Sequence, residues 1–182
     1  MKRALLIALF AAATAVASTP ELIVSTAEQK MYVVENGKRR ATFPISTSKF
    51  GIGDKPCSYR TPLGTLQVSR KVGHGAPTGA VFKALRRTGE VIRPNTPGRD
   101  PIVTRVLCLN GTDPHTRNAA ARGIYIHGTP EESKIGRPAS YGCVRMRSRD
   151  IVRLFDHIPV GAKVIITPFT YRQLSGAGLA SN

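Results

Sequence analysis

Cys143 stands in the run Ser140-Tyr141-Gly142-Cys143-Val144-Arg145-Met146, and His127-Gly128-Thr129 lies shortly upstream. A thiol, an imidazole and a guanidinium in so short a stretch name a reaction class. The sulfur attacks a carbonyl, the imidazole takes its proton, and the guanidinium holds an anionic group of the substrate. A free thiol is a weak nucleophile until its pKa falls, which a neighbouring imidazole or imidazolium brings about. The chemistry is acyl transfer through a thioester.

Gly142 permits a sharp turn ahead of the sulfur, and a side chain there would crowd its own N–H. The N–H groups of Gly142 and Cys143 are placed to point at the oxyanion of a tetrahedral intermediate. Losing one such donor costs roughly 2.7–4 kcal/mol of barrier stabilisation. Arg145 lies two residues past Cys143, on the same side of an extended segment, and its planar fork suits a substrate carboxylate. Taken singly, each residue also has a structural reading. A lone Cys or His is commonly core, and Arg145 is followed by Arg147, Arg149 and Arg153 in a basic surface. The combination is what points to catalysis. His74, His115 and His157 read as structural. Zinc-like spacing of further ligands is missing around Cys143 and His127, and no glycine loop cradles phosphate. No metal and no cofactor are expected.

The elements that must position this pair are mostly strands. Leu22–Ser25 and Met31–Val34 are short apolar runs, and Asn36-Gly37 supplies a tight hairpin turn because both residues tolerate positive φ. Ala41–Thr47 returns as the paired strand, with Pro44 marking an edge or a bulge. Thr61-Pro62-Leu63-Gly64 turns into Thr65–Ser69, where apolar and polar residues alternate. The stretch 71–100, rich in Gly, Pro, Arg and Lys, reads as a long loop or insertion beside the site, with a short element at 81–85. Ile102–Leu109 is a strand, 110–122 is polar and irregular, and Gly123–Ile126 is a strand ending at His127. Ser148 reads as a helix cap with Asp150 in the first turn. Ile151, Leu154, Phe155 and Ile158 form one apolar face, and Pro159 and Gly161 end the helix. Lys163–Thr167 is the last strand. The expected fold is mainly β, a sandwich or partly open barrel with one main helix after the cysteine motif. Its domain spans 18–170, followed by a flexible tail over 171–182.

The chain has 182 residues, which suggests one domain, and 41% hydrophobic residues, which allow a sizeable core. Its formal net charge is +16, which favours polyanions as partners. Met1-Lys2-Arg3 is a basic start, Ala4–Val16 is apolar apart from Thr14, and Ala15-Val16-Ala17 is an A-x-A site. Residues 1–17 therefore read as a secretory signal peptide, too short for a comfortable membrane span. Its removal takes away Lys2 and Arg3 and lowers the net charge from +16 to +14. Export to a periplasm or cell wall promotes envelope polymers over nucleic acid as partners. The aromatic content of 6% and the lack of a nucleic-acid motif give no stacking support for specific nucleic-acid binding. Of the three cysteines, Cys57 and Cys108 form either a disulfide or two separate buried thiols, while Cys143 stays free.

Over roughly Leu22–Thr167 the chain resembles the L,D-transpeptidase catalytic domain, also called the YkuD domain. The resemblance rests on His127-Gly128-Thr129, on Ser140-Tyr141-Gly142-Cys143-Val144-Arg145-Met146, and on the landmarks Val24-Ser25, Gln29–Val33, Asn36-Gly37 and Thr61-Pro62-Leu63-Gly64. It implies that Cys143 attacks the L-to-D peptide bond of a peptidoglycan tetrapeptide stem, after diaminopimelate. D-alanine leaves and the acyl group passes to an amine. It further implies His127 as base, with the Gly128 carbonyl orienting its ring. Tyr141, Gly142 and Cys143 would supply oxyanion N–H groups, and Arg145, with Ser140, would contact substrate. Tyr141 departs from the family's usual histidine at that position, which bears on substrate orientation rather than on the base. Stem peptides are the implied partners of a monomeric enzyme. An envelope lipoprotein, a second stem or a D-amino acid would be the acyl acceptor. Water in place of the amine would make it an L,D-carboxypeptidase or endopeptidase, and a non-catalytic wall-binding module is the remaining alternative.

Overall fold

A computed structural model of the chain describes residues 19–176; the expected signal segment lies outside them. Ten strands form one forked, open sheet. They are β1 (Glu21–Ser25), β2 (Lys30–Glu35), β3 (Lys38–Pro44), β4 (Gly64–Val72), β5 (Ala80–Lys83), β6 (Arg86–Val91), β7 (Ile102–Gly111), β8 (Tyr125–Gly128), β9 (Val144–Met146) and β10 (Lys163–Thr167). The strand order is β3-β2-β1-β10-β4-β7-β5-β6, and the fork is at β7, which also pairs with β8, as β8 does with β9. The fold is mainly β, as the apolar alternation of the sequence indicates. The main helix, α1 (Ser148–His157), follows directly on the cysteine motif, and a second, α2 (Tyr171–Gly176), closes the described chain.

Asn36 and Gly37 both adopt positive φ, 51° and 68°, and turn β2 into β3, as their side chains allow. A bulge between Val33 and Val34 shifts the register, and β3 begins at Lys38, directly after the turn, and ends at Pro44, opposite Lys30, earlier than the sequence pattern indicates. In β1 successive side chains alternate faces. Leu22 and Val24 enter the main core with Leu66, Leu107, Ile126 and Met146. Ile23 enters a second cluster with Tyr32, Val34 and Leu174. That second face explains why Tyr171–Gly176 form a helix at the start of the expected flexible tail; the rest of that expected tail, 177–182, lies outside the described residues. Leu174 and Tyr171 cover apolar side chains that would otherwise face water. Tyr171 stacks 4.6 Å from the Tyr32 ring, and its N–H donates to Glu28 Oε2 at 2.7 Å.

The Arg- and Lys-rich stretch after Val72 is not a long loop. β4 runs on through Lys71 and Val72, and β5 and β6 form a hairpin whose first strand pairs with the start of β7. Ala80, Phe82, Val106 and Cys108 pack beneath it. Helix α1 lays Ile151, Leu154 and Phe155 into the main core, with Ile158 just beyond its last turn, each worth about 1.5–3 kcal/mol of burial. Ser148 is its first residue and not its cap. No side chain caps the helix at Arg147; instead Glu132 Oε1 accepts the Ser148 N–H at 2.8 Å. The Ser148 hydroxyl is paired with Thr104 Oγ1 at 2.8 Å. The carboxylate therefore reaches the positive helix end from a separate loop.

Candidate active site

Strands β8 and β9 run parallel, with Ile126 opposite Val144, His127 opposite Arg145 and Gly128 opposite Met146. The connection between them, residues 129–143, must leave the end of β8 and come back beside its start. That path returns Cys143 to the level of Tyr125. Residues 45–49 hold it there. Ser46 and Arg145 exchange two backbone hydrogen bonds of 2.9 and 2.8 Å, and the N–H groups of Ala139 and Ser140 both donate to Thr47 O at 2.9 Å. Thr61, fully buried, donates its hydroxyl to the Gly142 carbonyl at 2.9 Å and accepts the Ser48 N–H at 3.0 Å. Gly142 sits at φ 122°, and a Cβ there would press Ile124 Cδ1 at 3.2 Å, so glycine is the fitting residue.

His127 and Cys143 face one cavity of about 350 Å³, lined also by Asp100, Ile102, Tyr141 and Arg145. His127 is 5% exposed, and its Nδ1 lies 2.8 Å from the carbonyl oxygen of Gly128. A carbonyl only accepts, so Nδ1 carries the proton and Nε2 keeps its lone pair. Among the described residues Nε2 has no hydrogen-bond partner. The thiol is half-buried. It donates to Gly123 O at 3.3 Å and accepts the Tyr125 N–H at 3.4 Å. It is not hydrogen-bonded to His127 in this resting state.

Burial dominates both groups. It pushes the Cys143 thiol up to about 11, against the pull of the Tyr125 N–H, Arg145 and Arg122. It holds the His127 imidazole down at about 4, with Arg145 adding to that effect and the Gly128 bond opposing it. Thiol and imidazole are both neutral at rest.

Other residues expected at the site stand differently. The Gly142 N–H donates to Ser140 Oγ at 3.2 Å, so it does not point freely into the cavity. The N–H groups of Tyr141 and Cys143 have no backbone acceptor among the loop contacts of the described residues. Ser140 is fully buried, and its hydroxyl donates to Cys143 O at 2.6 Å. It clips the turn together and is not exposed to a substrate. Arg145, 6% exposed, is held by Asp100 Oδ2 at 2.5 Å and Glu131 Oε2 at 3.1 Å. Its fork is occupied by protein carboxylates, so it is not a free carboxylate anchor.

Tyr141 is 53% exposed. It lines both the cavity shared by Cys143 and His127 and a second one of about 300 Å³ lined also by Cys57, Tyr59, Asn118 and Arg122. Phe50 and Tyr59 flank it at 5.5 and 6.1 Å between ring centroids. Cys57 is exposed, Cys108 is buried in β7, and both are free thiols, so the alternative of a disulfide between them is not realised. Asp100, Glu131, Thr61 and the Gly123 carbonyl are the participants that motif reading misses. Acids among many arginines give one available signal, because a buried guanidinium requires a partner.

A family model for the L,D-transpeptidase catalytic domain, YkuD, matches residues 19–166. The probable L,D-transpeptidase ErfK/SrfK of Salmonella typhimurium is 54% identical over 149 residues, 80% of this chain and 43% of that protein. The probable L,D-transpeptidase YbiS of Escherichia coli K12 is 30% identical over 148 residues, 79% of this chain and 43% of that protein. This chain thus spans under half the length of these relatives. Among solved structures, L,D-transpeptidase 3 from Mycobacterium tuberculosis in complex with a faropenem-derived adduct aligns with a TM-score of 0.54 at 17% identity. That alignment covers 82% of this chain and 60% of that one, and shows the shared fold. By the extent of the domain match, the chain belongs to the L,D-transpeptidase catalytic-domain (YkuD) family.

Proposed function

We propose that this protein is an exported cysteine acyltransferase that opens the L-to-D bond of peptidoglycan tetrapeptide stems and passes the acyl group to an amine. The observation that carries the reading is the shared cavity. A thiol and an imidazole with a free Nε2 lone pair face the same opening, and the ring is fixed by the Gly128 carbonyl. The basic start and apolar run of residues 1–17 and the positive charge of the remainder support export to an anionic wall.

The electrostatics select the order of events. A neutral thiol and a neutral imidazole do not exchange a proton in advance. The proton of Cys143 passes to His127 Nε2 as the sulfur bonds to the donor carbonyl carbon. For this the thiol must turn from Gly123 towards the imidazole. The oxyanion that forms faces the N–H groups of Tyr141 and Cys143. Collapse of the tetrahedral intermediate breaks the peptide bond, and the His127 imidazolium returns its proton to the departing D-alanine. An acceptor amine then gives its proton to His127 and attacks the thioester, which restores the thiol. A second stem, a lipoprotein side chain or a D-amino acid each offers such an amine.

Incubating the protein with purified tetrapeptide muropeptides and weighing the products tests the proposal. Cross-linked dimers or exchanged stems, with release of D-alanine, are expected. Tripeptide stems alone would replace the transferase with an L,D-carboxypeptidase, and unchanged muropeptides would remove the stem-peptide assignment.

A further inference from the structure

Two carboxylates distant in sequence converge on Arg145. Asp100 comes from the loop after the β5–β6 hairpin, and Glu131 from the β8–β9 connection. Asp100 also accepts the Thr129 hydroxyl at 3.1 Å. The loop that carries it is tied down nearby, where Asn95 Oδ1 accepts the Ser133 N–H at 2.9 Å. Glu131 has a second cation of its own, Lys134. Among the described residues Arg145 is the one cation paired with Asp100, and Asp100 is the acid that lines the cavity of Cys143 and His127, with its side chain 29% exposed.

The charges around His127 therefore have a simple balance. Arg145 is its register partner on β9. Cys143, Asp100 and Tyr141 share its cavity. Glu131 and Lys134 pair beyond Arg145. On the thiol side, Tyr125, Cys108 and Arg122 act on Cys143. Arg145 by itself would oppose an imidazolium and favour a thiolate. Asp100 supplies the opposing charge inside the cavity.

We propose that Asp100 is a positioning residue of the acyl-transfer site: its carboxylate fixes the Arg145 guanidinium and offsets its charge, so that His127 can accept the thiol proton as Cys143 attacks. The proposal rests on the assignment of Cys143 as nucleophile and His127 as base. Burial raises the Asp100 carboxyl above its ordinary range, Arg145 pulls it down and Glu131 pushes it up.

Asp100→Asn keeps the shape and removes one negative charge. The field of Arg145 then acts less opposed on both groups. The thiolate becomes easier to form and the imidazolium harder, so both titrations move to lower pH. In a Cys57→Ser background, alkylation of Cys143 by iodoacetamide is followed by intact mass across pH. The midpoint for Asp100→Asn is expected about one pH unit below that of the parent protein, with Asp100→Glu returning it. Glu131→Gln is expected to shift it in the same direction and less, because Glu131 lies outside the cavity lining. A purely structural role changes rates without moving the midpoint. An unmoved or raised midpoint in Asp100→Asn overturns the proposal. Should that variant fail to fold, Asp100→Ser is read in the same way, and an unmoved or raised midpoint there overturns the proposal. The measurement needs no peptide donor, so it is distinct from failure of the Cys143–His127 assignment, which appears as donor acylation that persists in Cys143→Ala.

Discussion

The Cys143 sulfur rests on the Gly123 carbonyl, 3.3 Å away, and not on the His127 imidazole. A neutral thiol parked on an acceptor, with its pKa pushed up to about 11 by burial, is a slow nucleophile at neutral pH. Exposed Cys57 is therefore expected to react with iodoacetamide well before Cys143. Labelling of Cys143 is expected to rise continuously from neutral pH towards 11. Peptide mapping after timed alkylation checks the order; equal labelling at pH 7 would show that the resting thiol is already activated.

The buried imidazole also makes stability depend on pH. His127 is held at about 4 when folded, against about 6.5 when unfolded. Between these values the unfolded chain binds the extra proton, so stability rises with pH. The contribution is complete above about 6.5 and is lost as pH falls towards 4, by up to about 3 kcal/mol. Urea unfolding at pH 7 and pH 4.5 checks this. His127→Gln is expected to lose less stability than the wild type over the same interval.

Thr61 joins two segments through one hydroxyl, which donates to Gly142 O and accepts from Ser48 N. Thr61→Val keeps the volume but leaves a buried carbonyl and a buried N–H without that partner. A loss of about 2 kcal/mol is expected, together with slower acylation because the turn before Cys143 loosens. Chemical unfolding and single-turnover acylation, measured on the same preparation, test both parts.

Glu132 caps α1 from outside the helix through the Ser148 N–H at 2.8 Å. Glu132→Ala is expected to cost about 1 kcal/mol and to lower Tm by about 2–4 °C. Thermal unfolding followed by circular dichroism measures it, and an unchanged Tm would show that water replaces the carboxylate without loss.

What the sequence reveals and what it hides divide along physical lines. Asn36-Gly37 and the α1 face are local, since their period and turn chemistry are written in neighbouring residues. That Cys143 and His127 line one cavity is legible because reactive residue types stand close together in the chain. The β5–β6 hairpin is hidden because its charged residues face solvent and interrupt the alternation; all six residues of β6 are exposed. Helix α2 is hidden because its cover of Ile23 and Tyr32 is a contact between the two ends of the domain. The same applies to Arg145. Its spacing from Cys143 suggests a substrate anchor, but Asp100, 45 positions away, has already occupied it. In the motif Ser140 reads as a substrate contact and Gly142 as an oxyanion donor, yet folding turns the Gly142 N–H onto the Ser140 hydroxyl and that hydroxyl onto the Cys143 carbonyl.

The intact mass of the protein after exposure to a disaccharide-tetrapeptide donor tests the central claim most directly. The account predicts an added tripeptide-bearing acyl group that maps to Cys143, equimolar release of D-alanine, and no adduct in Cys143→Ala. An adduct on another residue, or one that survives in Cys143→Ala, would contradict it.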